Sequence, residues 1–174
     1  MVIVIPIDID DFGVHMLQRI SDLQNISNIK LRMFEKILLT ETGTLEQVLT
    51  ILTNSEVTIQ ILKQKEYYKS IKREARIINK KTGENLVYAT SNIDPCNLPE
   101  EIIRQIKQKH LSIGRIITNY QLETFRKILK IGYNSKTKSV FRIYHIIHKG
   151  KVIFKIKEVF PLDTRIYDNS LNVD

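Results

Sequence analysis

Two charged residues occupy positions that the surrounding pattern reserves for apolar side chains, and their types suit the capture of a small anion and the handling of a proton. Glu158 lies in Val152–Phe160, where strand alternation puts Val152, Phe154, Ile156, Glu158 and Phe160 on one face. Lys155 and Lys157, between Ile153 and Val159, take the other. Arg73 lies in a second run whose one face reads Ile71, Arg73, Ala75, Ile77, with Lys72, Glu74 and Arg76 opposite. A carboxylate and a guanidinium thus both point inward. A lone buried charge costs several kcal/mol, so each needs a partner or a use. The bland alternatives are a structural ion pair or a register that leaves the residue exposed. The chemical reading is a small carboxylic acid in a closed pocket. Arg grips a carboxylate bidentately, and an enclosed Glu can hold or pass a proton. Gly43 and Gly114 add two glycine breaks whose free backbone N–H groups suit an oxyanion.

The elements that must hold these residues follow from periodicity. Met1–Ile9 reads as extended, 11–23 as helix, and 28–39 as an amphipathic helix on Ile29, Leu31, Phe34, Ile37 and Leu38. Gly43 breaks that helix, and Thr44 caps a second one to about Leu52. Strands are expected at Val57–Leu62, around Arg73, and over Leu86–Ile93, with Lys80-Lys81-Thr82-Gly83 as a hairpin signal. Pro99, Glu100 and Glu101 open a helix to about His110. Gly114 interrupts the chain again. Residues 122–129 read as helix ended by Gly132, and Ser139–His148 and Val152–Phe160 as the last two strands. Strands arranged as adjacent hairpins predict an α+β fold, an antiparallel sheet with helices on one face. One domain covers 1–174, with 1–27 as an N-terminal extension and 162–174 as a C-terminal tail.

Composition excludes several classes. The 174 residues, 43% hydrophobic, suffice for one substantial core, and the lone Cys96 rules out a disulfide framework or a cysteine zinc site. Residues 101–174 carry 15 basic and 6 acidic residues, whereas 1–50 carry 4 and 7, which suits an anionic partner if it is more than a solvated lysine-rich surface. Neither GxxxxGK[ST] nor GxGxxG occurs. His145 and His148 fall on opposite faces of a strand. Asp8, Asp10 and Asp11 read as a solvated turn, so no metal site is expected. Aromatic residues are too scattered for a nucleic-acid surface. Met1–Pro6 is too short and lacks the basic flank of a signal peptide, and no 18-residue apolar run spans a membrane. A cytoplasmic protein is expected, its oligomeric state open with a monomer the working expectation.

Four stretches, in order, resemble the chorismate lyase family, closest to its archaeal relatives: Leu38-Leu39-Thr40-Glu41-Thr42-Gly43-Thr44, Tyr67-Tyr68-Lys69-Ser70-Ile71-Lys72-Arg73-Glu74, Leu111-Ser112-Ile113-Gly114-Arg115-Ile116, and Lys157-Glu158-Val159-Phe160-Pro161. The resemblance spans about Leu31 to Pro161. It implies two helix–turn–helix flaps over a buried site and a reaction that turns chorismate into 4-hydroxybenzoate and pyruvate without a metal or organic cofactor. It further implies that Arg73 and the Ile113 N–H bind the ring carboxylate of an aromatic or cyclohexadiene ligand, that Gly43 lies at a turn facing it, and that Glu158 is the acidic group at the far, hydroxyl end. Arg73 and Glu158 are then the catalytic pair, separated by a ligand rather than bonded to each other. Departures from the family pattern are Ser112 for Pro, Gly43 for a larger residue, Ala89-Thr90 for Arg-Thr, and no arginine-rich stretch after Gly132. A non-enzymatic binder or sensor of an aromatic carboxylate on the same fold is the alternative.

Overall fold

The computed structural model describes residues 1–8 and 10–162; most of the proposed C-terminal tail falls outside them. Seven strands form one sheet: β1 (Val2–Pro6), β2 (Val57–Tyr67), β3 (Ser70–Asn79), β4 (Asn85–Ile93), β5 (Phe125–Asn134), β6 (Ser139–His148) and β7 (Lys151–Pro161). Their order is β1-β5-β6-β7-β4-β3-β2, and every pairing is antiparallel. Helices α1 (Val14–Ser27), α2 (Met33–Thr40), α3 (Leu45–Thr53), α4 (Glu100–Gln108) and α5 (Ile113–Asn119) complete an α+β fold. Lys72, Glu74, Lys155 and Lys157 line the solvent face of the sheet, opposite the helices, as the alternation requires.

The helices pair off over the sheet. α2 and α3 are joined by residues 41–44, and α4 and α5 by 109–112. Each pair buries a short apolar stripe: Leu38, Leu39, Leu45 and Leu49 in the first, Ile102, Ile106, Ile116 and Ile117 in the second. These are the two expected flaps. Residues 1–27 belong to the same core: β1 pairs β5 at the sheet edge, and Ile3, Ile5, Ile20 and Leu23 are buried with the rest.

Three local expectations differ from the fold. The helix expected over 28–39 is shorter, because Asn28 adopts a left-handed φ of 51° that ends α1. The chain then runs extended to Arg32, whose N–H donates to Glu35 Oε2 at 2.7 Å to start α2. Gly114 does not interrupt the chain but sits in the first turn of α5. The helix expected over 122–129 is largely strand β5. A bulge between Ile128 and Lys130 shifts the register there and leaves Ile128 and Leu129 as neighbouring apolar residues, which imitates helical periodicity.

Gly132 therefore ends nothing. It pairs Phe141 in mid-sheet, and a Cβ there would lie 2.3 Å from Phe141 Cζ and 2.5 Å from the Ile3 carbonyl oxygen. Backbone crowds one side and a buried ring the other. Gly132→Ala is expected to destabilise the fold by about 1–3 kcal/mol or more, read as a lower urea midpoint at unchanged slope.

Candidate functional site

Antiparallel register carries each inward side chain across the sheet in rows. One row runs Gln64, Arg73, Ser91, Ile156, Tyr144 on β2, β3, β4, β7 and β6; the next runs Ala75, Ala89, Glu158, Arg142 on β3, β4, β7 and β6. Arg73 and Glu158 are thus two strands and one row apart, roughly 12 Å between backbones at standard sheet spacings. The floor between them is Ala75, Ala89 and Ser91, side chains too small to fill the space. A cavity of about 60 Å³ lies there, lined by both charged residues, by this small-residue floor, by Tyr144, Ile146 and Ile156, and by Leu45, Glu46, Ser112, Ile113 and Gly114 from the two helix pairs above.

Arg73 is 2% exposed. Its Nε donates to Gln64 Oε1 at 2.8 Å, Nη1 to the Leu111 carbonyl at 3.1 Å and Nη2 to the Ile106 carbonyl at 2.5 Å. A guanidinium has five N–H donors in a fixed fork. Three are used, which leaves one on each terminal nitrogen, the pair a carboxylate takes bidentately. Burial lowers its pKa to about 10, so it remains charged at neutral pH. No carboxylate lies within ion-pair distance of it among the described residues.

Glu158 has different company. Its Oε2 accepts from Arg142 Nε at 2.6 Å and its Oε1 from the Tyr144 hydroxyl at 2.8 Å. Arg142, 1% exposed, reaches on to Glu41 in the α2–α3 turn, donating to its carboxylate at 2.6 Å and to its carbonyl at 2.5 Å. Burial opposes the Arg142 charge, but Glu158, Tyr144 and Glu41 outweigh it and raise its pKa. Burial, reinforced by Glu158, pushes the Tyr144 phenol well above its ordinary value, which keeps it a donor. Glu158 is therefore not a solitary carboxylate among apolar groups but the acceptor of a buried network. That network was missed in the sequence, although Arg142 shows the same signal as Arg73: it shares its face with Val140, Tyr144 and Ile146.

The other two expected site residues part company. Ile113 lines the cavity, and its N–H, at the first position of α5, has no partner within the helix. Gly43 lies in the α2–α3 turn and does not line the cavity; Leu45 and Glu46 take that place. Neither Gly43 nor Gly114 has a positive φ, so neither break is a left-handed turn. Ser112 performs two tasks in place of the family's Pro. Its Oγ accepts from the Arg115 N–H at 3.0 Å, capping α5, and donates to the Glu46 carboxylate across the gap between the helix pairs. Ser112→Ala removes both contacts and is expected to cost about 1–2 kcal/mol in denaturant unfolding. The Asp8–Asp11 turn is closed internally, with Asp11 accepting from the Asp8 N–H at 2.8 Å and from Arg19 at 2.9 Å. No cluster of metal-ligating side chains occurs among the described residues.

An antiparallel sheet roofed by two helix pairs thus encloses one small cavity, of a size for a small molecule, that a buried cation, Arg73, and a buried carboxylate, Glu158, both line. The chain belongs to the family described as "Chorismate pyruvate-lyase Rv2949c-like", which its residues 38–167 match. A protein of Methanocaldococcus jannaschii named only provisionally as a lyase, MJ0807, is 34% identical over 157 residues, covering 80% of this chain and 84% of that protein. Chorismate pyruvate-lyases of Mycobacterium tuberculosis and Mycobacterium bovis are 29% identical over 155 residues, covering 72% of this chain and 78% of theirs. A solved structure, a possible transcriptional regulator YydK from Bacillus subtilis, overlaps 86% of this chain and 78% of its own at a TM-score of 0.44 and 10% identity, too distant to bear on the site. No helix among the described residues is long and apolar enough to cross a membrane.

Proposed function

We propose that this protein converts chorismate to 4-hydroxybenzoate and pyruvate, using its own side chains alone. The observation that carries the reading is Arg73: a buried cation with two unspent N–H groups and, among the described residues, no carboxylate partner, on the same cavity as Glu158 and separated from it by a floor of small residues. A ring carboxylate supplies the missing anion, with the Ile113 N–H as a further donor. The ring then lies over Ala75, Ala89 and Ser91, and its hydroxyl end meets Glu158.

The chemistry asks little of the protein. The ring–oxygen bond of the enolpyruvyl ether breaks with its electron pair on oxygen. The neighbouring ring carbon, which bears the hydroxyl, loses its hydrogen as a proton, and that C–H pair completes the aromatic ring. The departing enolate takes a proton at its methylene carbon to become pyruvate. Arg73 fixes the ring and neutralises its carboxylate. Glu158, braced by Arg142 and Tyr144, orients the hydroxyl end and is the nearest candidate to relay the proton. The basic C-terminal half draws in a dianion.

At about 60 Å³ the cavity is tighter than the roughly 150 Å³ that holds a benzene ring in a designed void. Entry therefore needs the helix pairs to part at the Ser112–Glu46 contact. The test is purified protein with chorismate, following 4-hydroxybenzoate by chromatography and pyruvate by coupled lactate dehydrogenase. Equal amounts of both products support the proposal. Absence of both overturns it, and tight 4-hydroxybenzoate binding without turnover assigns the site to a non-enzymatic binder.

A further inference from the structure

A second cation reaches the cavity, close enough for its charge to act on Tyr144 but held by no hydrogen bond or ion pair among the described residues. Arg126, on β5, is the one residue shared between the inner cavity and a larger outer pocket of about 570 Å³ that Thr40, Thr42, Thr124 and Lys127 also line. It has no hydrogen-bond or ion-pair partner among the described residues. Its Nη2 lies 3.8 Å from where a Gly114 side chain would begin, so the guanidinium stands at the mouth beside the roof. The acidic groups nearby are engaged elsewhere: Glu46 accepts from Ser112, and Asp8 and Asp11 pair with Arg19 at 3.5 and 2.9 Å. Arg73 and Arg126 sit on strands four places apart in the sheet, roughly 19 Å between backbones at standard strand spacing, with two long side chains reaching inward.

We infer that Arg126 selects dicarboxylates: it binds the second, ether-linked carboxylate of a ligand whose ring carboxylate is on Arg73. This rests on the reading of the inner cavity as a carboxylate site. The ligand class is a six-membered ring with a carboxylate directly attached and another on a short ether arm. Such a ligand leaves each guanidinium with one anion. A ring monocarboxylate leaves Arg126 unpaired, so the product binds more weakly than the substrate.

The test uses calorimetry with two stable probes, 4-hydroxybenzoate and 3-(carboxymethoxy)-4-hydroxybenzoate, which carries the second carboxylate but cannot eliminate. The wild type is expected to bind the dicarboxylate at least about tenfold tighter, as a desolvated charge-assisted contact allows. Arg126→Gln should erase that advantage and leave 4-hydroxybenzoate within about threefold; Arg126→Lys should recover part of it. Lys127→Gln, in the same outer pocket, controls for the general field and should leave the preference in place. The inference is overturned if Arg126→Gln keeps the preference, weakens both probes alike, or is matched by Lys127→Gln. Failure of the wild type to bind either probe overturns the reading of the inner cavity instead. Arg126 is only partly buried and makes no hydrogen bond or ion pair among the described residues, so the variants fold, which an unchanged thermal melt verifies.

Discussion

Arg73→Ala is expected to lower kcat/KM for chorismate by roughly 30- to several-thousand-fold, the effect of deleting a desolvated partner of a carboxylate, about 2–5 kcal/mol. The loss should fall on affinity for 4-hydroxybenzoate as well, because the ring carboxylate survives the reaction unchanged. Arg73→Lys is the sharper variant. It retains a charge but offers no planar fork, so it cannot serve Gln64, the Ile106 and Leu111 carbonyls and a carboxylate together, and little activity should return. Part of any loss is structural. Arg73 donates to the Ile106 carbonyl in the last turn of α4, where a cation is favoured, and to the Leu111 carbonyl in the connection to α5. Turnover must therefore be referred to the folded fraction, measured by circular dichroism. A folded Arg73→Ala protein with wild-type kcat/KM would remove Arg73 from the site.

Arg73 and Glu158 were legible because strand alternation is a strict code: a charge on an apolar face stands out within eight or nine residues. The same code carried β2, β3, β4, β6 and β7, and helical periodicity gave α2, α3 and α4, whereas α5 was read only as a glycine break, so the second helix pair came from the family resemblance alone. It failed at 122–129, where a single bulged residue breaks the alternation and only pairing with β1 and β6 reveals a strand. The partners of Glu158 were hidden for another reason. Glu41 lies 101 positions from Arg142 in a turn with no periodicity, and nothing local says that it accepts from the sheet. Arg142 and Arg126 were visible in principle, but a basic segment makes each arginine look like surface charge until register puts it on the inner face. Gly43 was singled out for a freedom that its backbone does not use, and the small residues that open the cavity, Ala75, Ala89 and Ser91, became meaningful only once three strands were aligned.

Arg142→Met should be the most destabilising substitution in the molecule, by about 3–5 kcal/mol, because it strands two carboxylates, Glu41 and Glu158, with exposures of 10% and 8%. The size follows from asymmetry. The intact network need not stabilise the fold much relative to an apolar core, since desolvating three charges offsets most of their attraction. Removing the central cation alone leaves the desolvation uncompensated. Arg142→Met combined with Glu41→Gln and Glu158→Gln should therefore recover much of the stability that the single change loses, a strongly non-additive outcome in urea unfolding. It should not recover turnover. The α2–α3 turn would no longer be tied to the sheet beside position 158, and that end of the cavity would lose the carboxylate able to take a proton. Stability regained without activity separates the two roles of the cluster, one in clamping a helix pair and one in orienting Glu158. If Arg142→Met cost less than about 1 kcal/mol, the pairing of Arg142 with both carboxylates could not be the tie between roof and floor.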